Sequence, residues 1–317
     1  MLRILVVGAG AVGGYFGGLW SAAGRDVTLV VRGARCNEIN QLGLTLVRKG
    51  SEMQTRPSAI VATDIRSSFD IVFFAVPGHA VAEAIAEIRP AIGPNSVIIP
   101  SLNGVRHFDV LRDAFGDAVL GSVVKCVTAL DDRGRIVELA PVAEIAIGPL
   151  SGVDERRLDT VRSSLDIEGM EVRISPVIHE EIAEKWLMMV ALGAANSLLG
   201  GSVGEINADP DGAWAIQEML REAHTALIEI GMPPRPAVLD TLGRMLSDPA
   251  SSQTSSLYRN MLAQRPVEHE PIIGEMLARV GNRKTFPLLS AAYARLSIYE
   301  AKRRTKEAER FQDSVAD

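Results

Sequence analysis

Two cysteines in 317 residues, Cys36 and Cys126, make neither a disulfide framework nor a metal cluster. Reduced thiols in a cytoplasmic protein are the simplest expectation. Histidine is also sparse, and its five positions (79, 107, 179, 224 and 269) show no metal-ligand spacing, so no metal is expected. Positive charge is not in excess. With 33 Lys and Arg against 39 Asp and Glu, the net charge is -6, which argues against nucleic acid or an acidic membrane as the main partner. Hydrophobic residues make up 47% of the chain, yet no uninterrupted apolar stretch reaches the roughly 18 residues of a membrane span. The N-terminus is not expected to be a signal peptide, because it already reads as the first strand of a fold. Internal repeats and low-complexity tracts are also missing. What remains is a chain long enough for two domains and a large core.

The first fourteen residues are the most informative. Leu2-Arg3-Ile4-Leu5-Val6-Val7 is an apolar run that breaks into Gly8-Ala9-Gly10-Ala11-Val12-Gly13-Gly14. A buried strand therefore feeds a G-x-G-x-x-G turn, and a helical pattern follows through Phe16, Leu19 and Trp20. Gly8 permits the tight turn, Gly10 lets backbone approach a pyrophosphate, and Gly13 lets the helix pack closely on the strand. Phosphate would sit on free N–H groups at the positive end of that helix, at Gly10, Ala11, Val12 and Gly13. A second strand at 26–31 gives the motif the context that a dinucleotide site requires.

The tip of that second strand selects the cofactor. A carboxylate about twenty positions past the glycines would accept the ribose 2′-OH and favour NAD. The chain instead reads Val31-Arg32-Gly33-Ala34-Arg35, with no carboxylate at the tip. Arg32 is placed to pair with a 2′-phosphate and stack on adenine, with Arg35 in support, so NADP(H) is preferred over NAD. The competing reading is a solvated arginine at a strand end.

The rest of the first half alternates strands and helices. Residues 70–76 form a near-continuous apolar run, as for a strand covered on both faces. A helix is expected over 79–88 and a buried strand over 96–99, ending at Ser101-Leu102-Asn103-Gly104. Segments 119–127 and 135–138 flank the turn signal Asp131-Asp132-Arg133-Gly134, so the parallel sheet is expected to continue into antiparallel strands near 145–147. A helix over 154–165 and a short strand over 171–174 follow. From Pro176 the period changes to 3.6, with helices expected over 180–199, 214–230, 237–246, 268–280 and 287–306 and a loop over 247–256. The fold class is α/β: a Rossmann-type domain over 1–175, then a mainly helical domain over 176–317 for substrate and dimerisation. A homodimer is compatible with this plan.

Reduction of a carbonyl requires a proton donor at the substrate oxygen. The strongest candidate is Lys185, on a largely apolar helix just past the domain junction, where desolvation would lower its pKa and improve it as a general acid. The alternative pairs it with Glu181 one turn back as an ordinary surface ion pair.

Taken together, the chain resembles the ketopantoate reductase (2-dehydropantoate 2-reductase) family over almost its whole length. The residues that carry the resemblance are Gly8-x-Gly10-x-x-Gly13-Gly14, Arg32, Asn103-Gly104, Glu184-Lys185, Gly204-Glu205, and Ser255-Ser256 followed twelve residues later by Glu268. The resemblance implies reduction of ketopantoate to pantoate with NADPH, as in pantothenate biosynthesis. It implies that Arg32 binds the 2′-phosphate, that Lys185 donates the proton, and that Asn103 positions cofactor, substrate and lysine. It further implies that Ser256 bonds the substrate carboxylate and that Glu268 holds polar groups near the substrate. Read from the residues alone, Asn103 is also an ordinary loop asparagine, Ser255-Ser256 an ordinary helix cap, and Glu268 a solvated helix start.

The chain departs from the family pattern at four positions. Pro77 stands where a lysine is usual, Met189 and Gly193 replace two asparagines four and eight residues after the lysine, and Val203 replaces another before the Gly-Glu pair. Polar partners are thereby lost from the expected substrate side, which weakens the substrate assignment more than the reaction type. Asn196 and Ser197 lie one turn further on and are candidates to compensate, though they would not reproduce the same direction on the helix. The alternatives left open are a dehydrogenase of another substrate, of glycerol 3-phosphate or hydroxy-acid type, and an inactive NADPH sensor.

Overall fold

The structure, a computed structural model, describes residues 1–151 and 155–316, the side chains of 310–316 excepted. Asp154, expected at a helix start, lies outside the described residues. The chain divides into two compact units, Met1–Leu102 with Arg106–His179 and Asn103–Val105 with Glu180–Asp317.

The first unit opens with β1 (Arg3–Val7), α1 (Ala11–Ala22), β2 (Asp26–Val30) and α2 (Gly33–Leu42). It continues through β3 (Leu44–Arg48), β4 (Ser51–Thr55), β5 (Ser58–Ile60), β6 (Phe69–Phe74), α3 (Val81–Ile88) and β7 (Ile92–Pro100). Then come α4 (Arg106–Phe115), β8 (Leu120–Leu130), β9 (Ile136–Pro149), α5 (Glu155–Leu165) and β10 (Glu171–Ile174).

One sheet runs β5-β2-β1-β6-β7 with every neighbouring pair parallel. Beyond Arg3 and Asp70 its two central strands are apolar because both faces are covered: Ile4, Leu5, Val6, Ile71, Val72 and Phe73 are all fully buried. The face of α1 that carries Phe16 and Trp20 packs on Phe73, with ring centroids 5.4 and 5.2 Å apart. Burying each such side chain contributes about 1.5–3 kcal/mol. The polar tip of Trp20 is satisfied by donation from Nε1 to the Leu165 carbonyl at 2.9 Å.

A second sheet differs from the expected continuation of the first. Its order is β10-β9-β3-β4, with β8 antiparallel to β9. The two strands expected at 135–138 and near 145–147 are one long strand, β9. It is interrupted at Pro141, where the β8 register jumps from Cys126↔Ala143 to Val127↔Ala140. Proline lacks the N–H that a regular ladder needs, so the bulge accommodates it. The hairpin of β3 and β4 turns at Lys49 and Gly50, both with positive φ, 48° and 77°.

The second unit is helical. It contains α6 (Ile178–Leu199), whose first two residues fall in the first unit, then α7 (Val203–Asn207), α8 (Pro210–Glu229), α9 (Pro236–Leu246), α10 (Ser256–Leu262), α11 (Glu275–Arg279) and α12 (Pro287–Ala316). The helix expected over 268–280 begins with a π-helical turn, Glu270–Gly274, ahead of α11. Helix starts follow local chemistry: Ser202 and Glu205 form a capping box on α7, and Asp209 caps α8 with Pro210 at its first position. Among the described residues α6 alone is long and apolar enough to cross a membrane, yet 67% of its most apolar window is buried inside the protein, as in a core helix.

Candidate active site

In the first unit the glycine turn is built from backbone contacts that side chains would block. Gly8 has φ +94°, and a Cβ there would lie 2.8 Å from the Ala75 carbonyl oxygen. At Gly13 a Cβ would lie 2.0 Å from the Gly8 oxygen, so strand and helix approach as closely as the motif implies. Gly10 is different, because a Cβ there meets nothing within 4 Å. It leaves open space at the start of α1, where no side chain caps the helix. The uncapped amides of Ala11 and Val12 and the positive helix end suit an anion. This cradle fits the pyrophosphate of a dinucleotide.

Arg32 stands at the N-cap of α2, at the end of β2, with its side chain 86% exposed. Its Nη2 lies 3.6 Å from Glu83 Oε2 on the first turn of α3. Arg35 is engaged with Glu38 at 2.8 Å, so Arg32 is the better placed of the two to meet a ligand. Pro77, where the family pattern has lysine, leads into the 3-10 turn Gly78–Ala80.

In the second unit Asn103 and Glu268 are brought together: Asn103 donates from Nδ2 to Glu268 Oε2 at 3.2 Å. Asn103 follows β7 in sequence but packs with the helical unit. Gly104 makes this possible, with φ +79° and a Cβ position only 2.0 Å from the Pro271 carbonyl oxygen. The backbone of the Asn103–Val105 segment is thus pressed onto the π-helical turn that follows Glu268.

Lys185 is half-buried on α6. Its neighbours in sequence are committed to structure. Glu184 makes a two-point ion pair with Arg235, Nε to Oε1 at 2.5 Å and Nη2 to Oε2 at 2.6 Å, which raises the arginine above its ordinary pKa. Trp186, fully buried, donates from Nε1 to the Ile272 carbonyl at 2.8 Å. That carbonyl lies in the π-helical turn. Sequence reading missed this turn, because an i→i+5 repeat leaves no periodic signature over so few residues.

Ser255 caps α10 by accepting from Tyr258 N, and Ser256 is the first, exposed residue of that helix. Behind it Leu257 packs on Gly193 of α6: a Cβ at 193 would meet Leu257 Cδ1 at 2.9 Å. Met189 is half-buried and Val203 fully buried. Asn196 is not free to replace the missing polar groups, because it donates from Nδ2 to the Gly201 carbonyl at 2.7 Å and accepts from Ser255 N at 2.7 Å. Its burial demands both partners. The carboxylate of Glu205 belongs to the capping box and accepts from Ser202, which lowers its pKa. Among the described residues no group of three or more His, Cys, Asp or Glu is arranged to hold a metal.

Two family models cover most of the chain: ketopantoate reductase PanE/ApbA over residues 4–152 and the ketopantoate reductase PanE/ApbA C-terminal domain over 177–299. The chain is 31% identical to an uncharacterised oxidoreductase, YkpB, of Bacillus subtilis, across 95% of this chain and 100% of the relative. It is 24% identical to a 2-dehydropantoate 2-reductase of Mesorhizobium japonicum, across 92% and 96%. In fold it matches a PanE/ApbA family ketopantoate reductase from Ralstonia eutropha, with TM-score 0.82, 21% identity and coverage of 96% and 100%. It matches equally well a D-mandelate dehydrogenase in complex with NADH and anilino(oxo)acetate, with TM-score 0.82, 16% identity and the same coverage of 96% and 100%. The chain belongs to the ketopantoate reductase family and is an oxidoreductase acting on CH–OH groups.

Proposed function

We propose that this protein is a cytoplasmic, NADPH-dependent reductase of a small 2-oxo acid, with 2-dehydropantoate (ketopantoate) the first candidate and pantoate the product. The cofactor is NADPH, which supplies the hydride to the carbonyl carbon. Gly8, Gly10 and Gly13, with the amides of Ala11 and Val12, bind the pyrophosphate, and Arg32 binds the 2′-phosphate. Lys185 donates a proton to the carbonyl oxygen and its positive charge stabilises the alkoxide as it develops. Asn103 contacts cofactor and substrate, Ser256 donates to the substrate carboxylate, and Glu268 orients Asn103 through their shared hydrogen bond.

The observation that carries this reading is the Asn103–Glu268 hydrogen bond at 3.2 Å. It joins two of the expected site residues, 165 positions apart, in the unit that also carries Lys185. A different 2-oxo acid is the second reading, and one contact favours it. Leu257 takes the space beside Gly193 where the family pattern carries an asparagine side chain. With that polar group gone, a substrate hydroxyl loses a partner that an apolar substrate group does not need.

The test is NADPH oxidation with ketopantoate beside a panel of 2-oxo acids. Turnover of ketopantoate above the others supports the first reading. Preference for an acid without the hydroxyl supports the second. Tight NADPH binding with no oxidation by any acid contradicts both.

A further inference from the structure

Arg32 and Glu83 belong to segments that leave the parallel sheet on opposite sides of β1. Arg32 follows β2 at the N-cap of α2, and Glu83 lies on the first turn of α3, which follows β6. With strands spaced about 4.8 Å apart, β2 and β6 are about 10 Å apart across β1. The two side chains nevertheless reach within 3.6 Å of each other, Arg32 Nη2 to Glu83 Oε2, and both remain largely exposed, at 86% and 63%. Their pair therefore bridges the strands that flank the glycine turn, at the carboxyl ends where a dinucleotide lies in such sheets.

We propose that Glu83 is a specificity-determining residue that sets the balance between 2′-phosphorylated and unphosphorylated cofactor, by holding Arg32 and by opposing the 2′-phosphate. The proposal rests on the assignment of Arg32 to that phosphate. A 2′-phosphate carries one to two negative charges and must take Arg32 from Glu83 before it can make its own charge-assisted hydrogen bonds. It then faces an uncompensated carboxylate a few ångströms away. A ribose 2′-OH makes no such demand and leaves the Arg32–Glu83 pair intact. Glu83 thus weakens NADPH without weakening NADH. Like the carboxylate absent from the tip of β2, it favours the unphosphorylated cofactor, but by opposing the phosphate rather than by accepting the 2′-OH.

The surrounding charges leave these two groups as the pair that responds. Arg35 is held by Glu38 at 2.8 Å, so it does not neutralise Glu83 in place of Arg32. Glu83 accepts no hydrogen bond from the backbone among the described residues, and its Cα lies on an exposed face of α3, so replacing it disturbs no packing.

The experiment measures equilibrium binding of 2′,5′-ADP and 5′-AMP, then NADPH and NADH, to the intact wild-type protein and to Glu83→Gln, Glu83→Arg and Arg32→Ala. Glu83→Gln is expected to tighten 2′,5′-ADP about two- to fivefold, the range open to an exposed pair, with 5′-AMP unchanged. Glu83→Arg is expected to tighten it further. Equal changes for the two nucleotides, or weaker 2′,5′-ADP binding in Glu83→Gln, would overturn the proposal. Arg32→Ala separates the two levels of the argument. If it weakens 2′,5′-ADP selectively while Glu83→Gln changes nothing, only the role of Glu83 fails. If it weakens both nucleotides equally, the phosphate assignment fails and the proposal falls with it.

Discussion

Leu257 occupies the space beside Gly193: an added Cβ at 193 would lie 2.9 Å from Leu257 Cδ1. The residue after Ser256 is thus locked against the helix of Lys185, and the missing side chain at 193 is a condition of that packing. Restoring the family asparagine with Gly193→Asn overpacks a buried site and should lower stability by about 1–3 kcal/mol, read as a fall in Tm. The pair Gly193→Asn with Leu257→Ala should recover part of the loss, because the two sites share one volume.

The glycine turn separates a packing role from a binding role. Gly10→Ala should leave thermal stability within about 0.5 kcal/mol, since its Cβ meets nothing within 4 Å. It should still weaken NADPH by about tenfold, because the methyl group fills the space the pyrophosphate needs. Gly13→Ala forces a Cβ to within 2.0 Å of backbone and should destabilise the fold by at least about 2 kcal/mol. Differential scanning fluorimetry beside a cofactor titration distinguishes the two.

Trp186 fixes the α6 residue next to Lys185 to the π-helical turn after Glu268. Trp186→Phe keeps most of the ring but leaves the Ile272 carbonyl buried without its donor. Stability should drop by about 1–3 kcal/mol. A urea titration with unchanged slope and lower midpoint is the expected result.

Glu300 anchors the backbone on the other side of Glu268. It is buried, accepts from Val267 N at 3.3 Å, and is pulled down to about 2 chiefly by hydrogen bonds from Arg303. A carboxylate depressed in the folded state stabilises the fold fully above its ordinary pKa of 4.5 and loses that contribution as pH falls through about 2. Glu300→Gln should therefore be less stable than wild type at neutral pH, and the gap should close across that acid window. Acid unfolding monitored by circular dichroism checks the sign.

The features most legible in the sequence were those with a short-range cause. Gly8, Gly10 and Gly13 announce themselves because a strand, a tight turn and a helix must follow in fixed order. The apolar run at 70–76 reads as a covered strand, and β6 (Phe69–Phe74) is one. Ser255 behaves as the helix cap that its residue type suggested. The β3–β4 hairpin went unread because its turn is Lys49-Gly50, and a lysine at positive φ carries little turn signal. Long-range pairing was less visible. Spacing alone does not tell that Asn103 meets Glu268, and only the family pattern suggested them as site partners. Asn196 shows the opposite limit: its position suggested a substrate contact, whereas the loop after α6 and the start of α10 consume both ends of its amide.

The most direct test is the single-turnover rate of NADPH oxidation by the best 2-oxo acid, in wild type and in Lys185→Ala, with NADPH affinity measured alongside. Loss of a general acid predicts a rate lower by about 10²–10⁴-fold with cofactor binding retained. An undiminished rate in Lys185→Ala would contradict the account.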